Sequence, residues 1–355
     1  MPLDILLMKQ IINNNMIDIK TNFSLKEFNT FGLDIRADKY VKYDTKSDLK
    51  SYLKTTKLKK PFLILGGGSN LLFDGDYNGV VLHSFINHIR IVKENEESVL
   101  ICVGAGVEWD ALVSWSIDNN FYGIENLSYI PGSVGAAPVQ NIGAYGVEIK
   151  DVFFKIDGLI VANGDDISLD YSQMRFGYRD SIFKNKMKDR VIITDVYLRL
   201  LKNGKLNLDY GSVNEHVQNH GGPTLQNVRY AINTIRMSKL PDPQELANAG
   251  SFFKNPIISN LAFEKIKAEY PYVPHYIMKD NLVKIPAAWL IETCGWRGKE
   301  EGNVAVHDDQ ALVIVNKGDA DGLEILKFAK KIEEDVRKKF SIKLEKEITV
   351  ISSSI

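Results

Sequence analysis

Cysteine is almost absent from this chain of 355 residues, which contains only Cys102 and Cys294. Two cysteines cannot supply the set of disulfides that holds many small secreted proteins together, nor a cysteine-rich metal site. Each cysteine lies in an apolar run, which predicts a buried, unreactive thiol at both positions. The sequence therefore predicts neither a disulfide framework nor a bound metal.

An excess of charge of one sign is missing too. The chain has 44 basic and 45 acidic residues and a net charge of -1, whereas proteins that bind nucleic acid usually carry a basic excess. The basic run from Lys54 to Lys60 is typical of a solvated face or loop. The charge balance therefore predicts no nucleic-acid partner.

Long hydrophobic runs are also lacking. No stretch approaches the roughly 18 consecutive apolar residues that a membrane-spanning helix requires. The apolar start, from Met1 to Met8, lacks the basic residues and the small-residue cleavage site of a signal peptide. We therefore expect a cytoplasmic protein that is not inserted in a membrane.

The chain does contain ample apolar material and no internal repeat. Hydrophobic residues make up 45% of it, enough for the cores of two or three domains. Strand and glycine patterns are followed by helical ones, and Pro241 and Pro243 cannot continue the helix predicted over 227–239. We predict an α+β protein with a domain boundary at these prolines.

Hydrophobic periodicity and turn signals predict a set of local elements. The predicted strands are 61–65, 99–103, 191–201 and 342–350, with a hairpin turn at Asn163 and Gly164, and the predicted helices are 109–119, 227–239, 259–270, 286–294 and 320–340. In the last strand, residue parity places Glu345 and Glu347 together, opposite the apolar side chains. This pattern fits a polar site and equally a solvated strand face.

A run of glycines follows the first predicted strand and consists of Gly66, Gly67, Gly68, Ser69 and Asn70. Glycine lets backbone N–H groups approach an anion closely, and consecutive amides in a tight turn can form a nest for phosphate. The run matches neither a Walker A loop nor a Rossmann fingerprint. A phosphate nest and a plain tight turn both fit it.

A second glycine-rich segment runs from Ile130 to Gly146 and is apolar and small rather than solvated. Surface loops are normally more polar, so this composition predicts packing against something flat or bulky, such as a cofactor. A close crossing of two backbone segments is the alternative. Together, the two glycine segments point to a cofactor that carries a diphosphate.

The pair of segments resembles the FAD-binding domain of the vanillyl-alcohol-oxidase-like flavoproteins and, among these, the UDP-N-acetylenolpyruvoylglucosamine reductase family. The resemblance continues in collinear order through Asn29–Gly32, Arg175–Lys184, Lys239–Pro243, Asn248–Pro256, Val306–Leu312 and Leu344–Glu347. It covers residues 22 to 351, almost the whole chain.

The resemblance implies an α+β fold in which a two-part FAD-binding region of the vanillyl-alcohol-oxidase/PCMH type precedes a C-terminal α+β substrate-binding domain. The implied parts are an N-terminal extension (1–21), a first FAD-binding subdomain (22–90, joined by the C-terminal strand 341–355), a second one (91–240) and a substrate-binding domain (241–340). The segment around Tyr210 implies the subclass that carries a tyrosine loop. A monomer is expected.

The resemblance also implies roles for individual residues. Noncovalent FAD would be bound by Gly66, Gly67, Gly68, Ser69, Asn70, Pro131, Gly132, Ser133, Gly135, Ala136, Asn141, Gly143, Tyr145 and Gly146. The implied catalytic residues are Arg179, Ser251 and Glu347, and the implied ligands of the uridine diphosphate are Tyr210, Lys239, Asn255 and Gln310. By themselves, Arg179 would equally fit a surface ion pair and Ser251 a helix cap or turn.

The implied reaction is the NADPH-dependent reduction of UDP-N-acetylglucosamine enolpyruvate to UDP-N-acetylmuramate in peptidoglycan synthesis. NADPH would reduce the flavin, and the enolpyruvyl group would then accept hydride at its methylene carbon. Arg179, assisted by Glu347, would stabilise the charge that develops toward the carboxylate, and Ser251 would protonate the adjacent carbon. The alternatives are an FAD-dependent oxidase of the same fold and a flavin- or nucleotide-sugar-binding protein that has lost activity.

The chain departs from the family pattern in its last strand, where the family usually has Leu-Glu-Pro-Glu-Val/Ile-Arg. Here Lys346 replaces the proline and Thr349 replaces the arginine, while Glu347 is retained. Loss of the proline restores one backbone N–H, which is compatible with a strand. The change at Thr349 removes a positive charge from that part of the expected site.

Overall fold

The computed structural model describes residues 17–352. The helices are α1 (Lys46–Thr55), α2 (Trp109–Asp118), α3 (Tyr171–Met174), α4 (Val213–Asn219), α5 (Leu225–Met237), α6 (Asn260–Glu269), α7 (Ala287–Thr293) and α8 (Gly322–Phe340). The strands are β1 (Asp18–Ser24), β2 (Arg36–Tyr43), β3 (Phe62–Leu65), β4 (Leu71–Phe73), β5 (Tyr77–Ser84), β6 (Ile89–Glu94), β7 (Ser98–Gly104), β8 (Gly143–Ala144), β9 (Val147–Glu148), β10 (Phe153–Ile160), β11 (Asp166–Asp170), β12 (Val191–Leu201), β13 (Ala247–Ser251), β14 (Ile257–Ser259), β15 (Tyr276–Ile277), β16 (Leu282–Lys284), β17 (Glu300–Glu301), β18 (Val304–Val306), β19 (Val313–Asn316) and β20 (Thr349–Ile351).

Contacts divide the chain into two compact units, each built from separate segments. Among the described residues, unit 1 comprises residues 17–23 together with Ala37–Gly67 and Asn78–Asn233. Unit 2 comprises Ser24–Arg36, Gly68–Tyr77 and residues 234–352. The four-part functional division expected from the family resemblance stays a prediction.

Two sheets lie in unit 1, apart from a few strand-end residues. One has the strand order β1-β2-β5-β3, and the other is antiparallel with the order β11-β10-β12-β7-β6. One face of the antiparallel sheet packs on α2, whose Trp109, Leu112 and Val113 are buried against side chains of β7 and β12. The predicted turn is confirmed, because Asn163 and Gly164 join β10 to β11 and Gly164 has a positive φ of 71°.

Unit 2 combines the antiparallel sheet β13-β19-β18-β17 with the sheet β14-β16-β15 and the parallel pair β20-β4. Its long helix α8 begins at a capping box, in which the side chains of Asp321 and Glu324 accept each other's backbone N–H groups. The apolar stripe that predicted this helix is buried along its length, at Ile325, Phe328, Ala329, Ile332, Val336 and Phe340.

Most predicted elements are confirmed, but the last strand is wrong in length. The strand predicted over 342–350 is reduced to β20, because the segment before it makes only an isolated bridge between Lys346 and Phe253. The alternation nevertheless persists as burial, since Ile342, Leu344 and Ile348 are buried. Burial therefore follows residue parity even where the strand hydrogen-bond pattern is incomplete.

The two thiols differ, which corrects the expectation that both are buried. Cys102 is buried, whereas Cys294 is partly exposed because it follows directly after the last residue of α7. Burial raises the pKa of both thiols, so the prediction of low reactivity agrees with their surroundings.

Four expectations concern the ends of the chain or its hydropathy. Residues 1–16 and 353–355 lie outside the described part, and with them the reading of Met1–Met8, most of the expected extension (1–21) and the tip of the segment 341–355. Within residues 17–352, no helix combines the length and the apolar character needed to cross a bilayer.

Candidate active site

The two glycine segments touch each other within unit 1. A Cβ added to Gly67 would lie 2.7 Å from the Cα of Gly132, and one added to Gly66 would lie 2.8 Å from the Oγ of Ser133 and 3.0 Å from the Cβ of Ala136. Separations of this size exclude any side chain. The close backbone crossing, which the sequence left open as the alternative for the second segment, is therefore present, and it accounts for glycine at position 67.

The second segment is held in place by the chain just before α2. The N–H of Val134 donates to the carbonyl of Val107 (2.8 Å), and the N–H of Gly135 donates to that of Ala105 (2.9 Å). A Cβ on Gly135 would meet the Cβ of Ala105 at 2.6 Å. Two tight backbone turns are thus fixed side by side, an arrangement that fits one extended anionic group such as a dinucleotide diphosphate.

Asn141 braces the segment from within. It is fully buried with φ of 46°, and its Nδ2 donates to the carboxylate of Glu148 (3.0 Å) and to the carbonyl of Gly177 (2.9 Å). Its Oδ1 accepts from the N–H of Lys150 (3.3 Å). Asn141, a predicted cofactor contact, therefore links the segment by hydrogen bonds to the turn that carries the predicted catalytic arginine.

Arg179 lies on that turn and reaches back to the glycine segment. Its own φ is 53°, and its Nη2 donates to the carbonyl of Gly143 (2.6 Å). Nearby, the hydroxyl of Ser181 donates to the carbonyl of Val139 (2.6 Å). Two side chains of the turn thus place the guanidinium beside Gly143, so the structure brings these two predicted site residues together.

Tyr210 is also placed by contacts within unit 1. Its ring is 42% exposed and lies perpendicular to the ring of Tyr145, with 5.8 Å between centroids. The Nδ2 of Asn207 donates to the carbonyl of Gly146 (3.2 Å). The segment that carries the predicted substrate tyrosine is therefore fastened to the end of the glycine-rich segment.

Sequence reasoning missed a residue that bonds to both of these segments. The Nδ2 of Asn126 donates to the carbonyls of both Tyr145 (3.0 Å) and Asn207 (2.8 Å), and the side chain is fully buried. Next to it, burial raises the pKa of the Glu125 carboxyl, which accepts from the N–H of Gly123 (2.6 Å). Both residues belong to a short 3-10 helix without a recognisable motif, so no sequence signal marked them.

In unit 2, Gly68 lies against the segment that begins with Asn29. A Cβ on Gly68 would come within 2.0 Å of the carbonyl oxygen of Phe28, and its φ is 67°. The N–H of Thr30 donates to the carbonyl of Gly68 (3.3 Å). Asn29 fixes its own loop by donating to the carbonyls of Leu25 (2.8 Å) and Leu33 (3.0 Å). The Asn-Thr-Phe-Gly motif thus supports the glycine turn.

Ser251 and Glu347 are neighbours in unit 2. Ser251 ends β13, and the N–H of Glu347 donates to the carbonyl of the next residue, Phe252 (2.8 Å). The N–H of Lys254 donates to the carbonyl of Glu345 (2.8 Å) on the same stretch. Backbone pairing therefore places the predicted proton donor beside the predicted catalytic carboxylate, although they are far apart in the sequence.

The two glutamates of this stretch have different surroundings. The side chain of Glu345 is 71% exposed and pairs with Lys254 (3.5 Å). Glu347 is half-buried, and its carbonyl accepts from the Nδ2 of Asn70 (3.3 Å). Residue parity predicted that the two carboxylates share one environment, and the structure corrects this by burying Glu347 more deeply. The predicted cofactor residue Asn70 is thereby joined to the predicted catalytic glutamate.

The end of β13 is shaped by an irregular turn. Register slips between Asn248 and Ser251, and the intervening Gly250 has φ of 68°. The N–H of Gly250 donates to the Oδ1 of buried Asn248 (2.8 Å), whose Nδ2 donates to the carbonyl of Leu246 (2.8 Å). This bulge sets the direction of Ser251, and the helix-cap alternative for that serine is wrong.

The remaining predicted substrate ligands lie at turns of unit 2. Lys239 is exposed just after α5. The Oδ1 of Asn255 accepts from the N–H of Ala287 at the start of α7 (2.9 Å), and the Oε1 of Gln310 accepts from the N–H of Leu312 (3.4 Å). Both carboxamide oxygens thus stabilise local backbone, which fixes the orientation of each side chain.

Two family models match the chain. The model for a FAD binding domain matches residues 37–166, and the model for the C-terminal domain of UDP-N-acetylenolpyruvoylglucosamine reductase matches residues 242–351. The first match contains the glycine turns of unit 1, and the second contains Ser251 and Glu347.

Curated relatives extend these matches over nearly the whole chain. The chain is 45% identical over 338 residues to UDP-N-acetylenolpyruvoylglucosamine reductase of Flavobacterium johnsoniae, covering 94% of this chain and 100% of the relative. It is 43% identical over 333 residues to the protein of that name from Bacteroides fragilis, again covering 94% and 100%.

A solved structure agrees with the fold. The crystal structure of UDP-N-acetylenolpyruvylglucosamine reductase from Thermus caldophilus matches with a TM-score of 0.65 at 21% identity, covering 94% of this chain and 98% of that one. Together with the family models, this likeness confirms the expected α+β fold, with a FAD-binding region followed by a C-terminal substrate-binding domain.

Proposed function

The chain belongs to the UDP-N-acetylenolpyruvoylglucosamine reductase family, and from that premise we propose that it reduces UDP-N-acetylglucosamine enolpyruvate to UDP-N-acetylmuramate. NADPH is the reductant and FAD the bound cofactor. The reaction is an oxidoreductase step of peptidoglycan synthesis, and so contributes to cell-wall formation, cell shape and division. Relatives of that name at 43% and 45% identity support the assignment.

The observation that carries the proposal is the closeness of the backbone of Ser251 to that of Glu347 in unit 2. The N–H of Glu347 donates to the carbonyl of Phe252, the residue after Ser251 (2.8 Å), so a hydroxyl donor and a half-buried carboxylate lie on adjoining stretches of chain. Reduction of an enolpyruvyl ether requires a positioned proton donor, and the charged groups around that donor influence how readily the proton is given up. A protein that only binds flavin or nucleotide sugar has no need of that pair.

The residues that would hold FAD are those of the two glycine turns. The backbone around Gly66, Gly67 and Gly132 would receive the diphosphate, and the hairpin with Tyr145 and Gly146 would adjoin the rest of the cofactor. When bound, FAD supplies the hydride chemistry, taking hydride from NADPH and passing it to the substrate.

Each proposed catalytic residue has a distinct task. The guanidinium of Arg179 binds the substrate carboxylate with parallel hydrogen bonds and stabilises the negative charge that develops toward it. The hydroxyl of Ser251 gives its proton to the carbon next to the carboxylate. Glu347 assists Arg179 at the enolic intermediate. The proposed ligands of the uridine diphosphate are Tyr210, Lys239, Asn255 and Gln310.

The remaining expectations enter as proposals on the same premise. We propose that the enzyme is cytoplasmic, because its two charged substrates are phosphate compounds that do not cross a bilayer unaided. We also propose that it is a monomer. The proposed functional parts are those given by the resemblance: 1–21, 22–90 with 341–355, 91–240 and 241–340. An oxidase of the same fold is not favoured, because the C-terminal match is to the reductase.

The test is an anaerobic two-step titration followed at the flavin absorbance. NADPH should bleach the yellow protein, and the enolpyruvyl substrate should restore the colour. In Ser251→Ala the first step should be unchanged and the second slower by about 10²- to 10⁴-fold, the usual contribution of a proton donor. Ser238→Ala, a change at an exposed serine of the same unit, should behave like the parent.

Three outcomes would contradict the proposal. A protein purified without flavin would contradict the proposal that it binds FAD. Reoxidation by oxygen but not by the substrate would favour the oxidase. Equal rates in Ser251→Ala and the parent would contradict the role of Ser251 as proton donor, but not the reductase activity itself. Repeating the first step with NADH tests the choice of NADPH.

A further inference from the structure

A cluster of three metal-ligating side chains lies in unit 1, on the antiparallel sheet. The Nε2 of His88 is 3.1 Å from the Oδ1 of Asp195, and the Sγ of Cys102 is 3.7 Å from each of these atoms. Among the described residues 17–352, this is the only trio of histidine, cysteine or acidic side chains whose ligand atoms converge within 4.8 Å.

The sheet places the three side chains and buries two of them, while His88 stays partly exposed. Cys102 is on β7 and Asp195 on the neighbouring β12, while the carbonyl of His88, just before β6, accepts from the N–H of Gly104 (2.9 Å). Cys102 is 1% exposed and Asp195 8%. Since adjacent strands fix all three backbones, the ligand atoms converge without any rearrangement of the chain.

Their spacing matches the geometry of zinc. Zinc binds sulfur at about 2.3 Å and nitrogen or oxygen at about 2.0–2.2 Å, so in a tetrahedral site the ligand atoms lie about 3.3–3.8 Å apart. The two separations that involve the Sγ of Cys102, 3.7 Å each, fall in this range, and the 3.1 Å between His88 and Asp195 lies just below it. Histidine nitrogen, thiolate and carboxylate are also the three ligand types that zinc accepts.

A second contact orients the carboxylate. The hydroxyl of Thr194 donates to the Oδ2 of Asp195 (2.8 Å), and Oδ1 is the oxygen that faces His88 and Cys102. Outer contacts of this kind fix the direction of a metal ligand and are a regular part of metal sites.

The cluster already attracts a cation. The Nη2 of Arg90 is 3.1 Å from the Nε2 of His88 and 3.7 Å from the Sγ of Cys102. Arg90 is an exposed side chain on β6, so it can turn outward into solvent. The position of its guanidinium therefore shows that positive charge is favoured next to these ligand atoms.

We propose that His88, Cys102 and Asp195 form a zinc site. On binding, the metal displaces the guanidinium of Arg90, the thiol proton of Cys102 passes to solvent, and the sulfur binds as thiolate, with water as the fourth ligand. The site is independent of the proposed reductase reaction. The sequence predicted no metal because two cysteines cannot form a cysteine-rich site, and ligands from two strands and from the residue before a third leave no recognisable spacing.

The test uses the FAD-containing protein and Co²⁺, whose tetrahedral complexes absorb visible light at longer wavelengths than flavin. The parent should give these bands at one Co²⁺ per chain and lose them on addition of Zn²⁺. Cys294→Ser, which changes the other cysteine, should behave the same. Cys102→Ser and His88→Gln should lose the bands while keeping their flavin and their circular dichroism spectrum.

A gain-of-binding variant covers the case in which the loss variants fail to fold. Arg90→Gln removes the competing cation at an exposed position, and the affinity for Zn²⁺ should rise about tenfold. Parent and Arg90→Gln proteins that both fail to bind Co²⁺ and Zn²⁺ would overturn the proposal. So would bands that persist in a folded Cys102→Ser protein.

Discussion

The candidate site residues between Asn141 and Arg179 in unit 1 are close together in the sequence, whereas the candidate catalytic residues of unit 2 come from distant segments. In unit 1, Asn141, Gly143 and Tyr145 belong to one segment, and Arg179 lies on a turn that bonds to it. In unit 2, the hydrogen bond from the N–H of Glu347 to the carbonyl of Phe252 joins residues almost a hundred positions apart. The first arrangement depends on local backbone conformation and the second on long-range pairing.

This difference decides which kind of substitution disturbs each region. Close backbone contact in unit 1 leaves no room for side chains, so the arrangement there depends on glycine. In unit 2, the arrangement depends on the backbone hydrogen bond from Glu347 to Phe252, and almost any residue can supply such a bond. A catalytic side chain in unit 2 can therefore be replaced without loss of the backbone hydrogen bond that positions it.

The chain passes from one unit to the other inside a single motif. Gly67 belongs to unit 1 and packs on Gly132, while Gly68 belongs to unit 2 and packs on Phe28. The requirement for glycine thus extends into unit 2 at Gly68. Substitution of Gly68 is therefore the strongest test of the contrast between backbone packing in unit 1 and long-range pairing in unit 2.

The largest effect is expected for Gly68→Ala. The new Cβ would lie 2.0 Å from the carbonyl oxygen of Phe28, at φ of 67°. Displacement of backbone adds to the cost of a left-handed conformation, so the free energy of unfolding should fall by more than about 3 kcal/mol. Urea unfolding followed by circular dichroism measures this loss.

Gly302→Ala is the matched control, because Gly302 is in the same unit, has φ of 59°, and has no atom within 4 Å of the added Cβ. It should lose only about 1–2 kcal/mol, the cost of the left-handed conformation alone. Equal losses in the two variants would show that the contact with Phe28 contributes nothing.

A smaller effect, on turnover rather than folding, is expected for Glu347→Gln. The amide keeps the shape and leaves the backbone bond to Phe252 intact, but it removes the half-buried charge beside Ser251. The rate of flavin reoxidation by substrate should fall about 10- to 100-fold, while unfolding stays within about 1 kcal/mol of the parent. Stopped-flow absorbance gives the rate.

Glu345→Gln is the comparison for that variant. Its carboxylate is 71% exposed and pairs only at the surface with Lys254. The reoxidation rate should stay within about twofold of the parent. A similar loss in both variants would mean that net charge along this stretch, and not the position of Glu347, governs the reaction.

The sequence predicted the elements well and the assembly of the site only in part. Glycine at positions 66 and 67 marked a special backbone, because few other residues can occupy such a contact. The role of Asn126 was not predictable, since its two hydrogen bonds reach segments that only the folded chain brings near. Likewise, nothing in the sequence near Cys102 shows that His88 and Asp195 converge on it.

The family resemblance located Ser251 and Glu347, but parity could not separate Glu347 from Glu345. The two differ in burial although the apolar side chains of the stretch follow residue parity, since Glu345 is 71% exposed and Glu347 is half-buried. Burial of one carboxylate is a result of tertiary packing, which a pattern of alternating residues does not contain.

The smallest effect is expected where the chain departs from the family, in Lys346→Pro. The hydrogen bonds that flank the bridge between Lys346 and Phe253 come from the N–H groups of Glu347 and Lys254. Residue 346 is thus the non-hydrogen-bonded member of the pair, and a proline there removes no bond of the bridge. What is lost is the ion pair with Glu333 (2.7 Å).

Loss of this partly exposed ion pair should lower the free energy of unfolding by about 1 kcal/mol or less and leave reoxidation by substrate unchanged. Lys346→Gln removes the same ion pair but keeps the N–H, so equal losses in the two variants are expected in urea unfolding. If proline costs clearly more than glutamine, the N–H of residue 346 stabilises the segment that carries Glu347. The family proline and this lysine would then support the site in different ways, and pairing in unit 2 would depend on residue type as strongly as packing in unit 1 does.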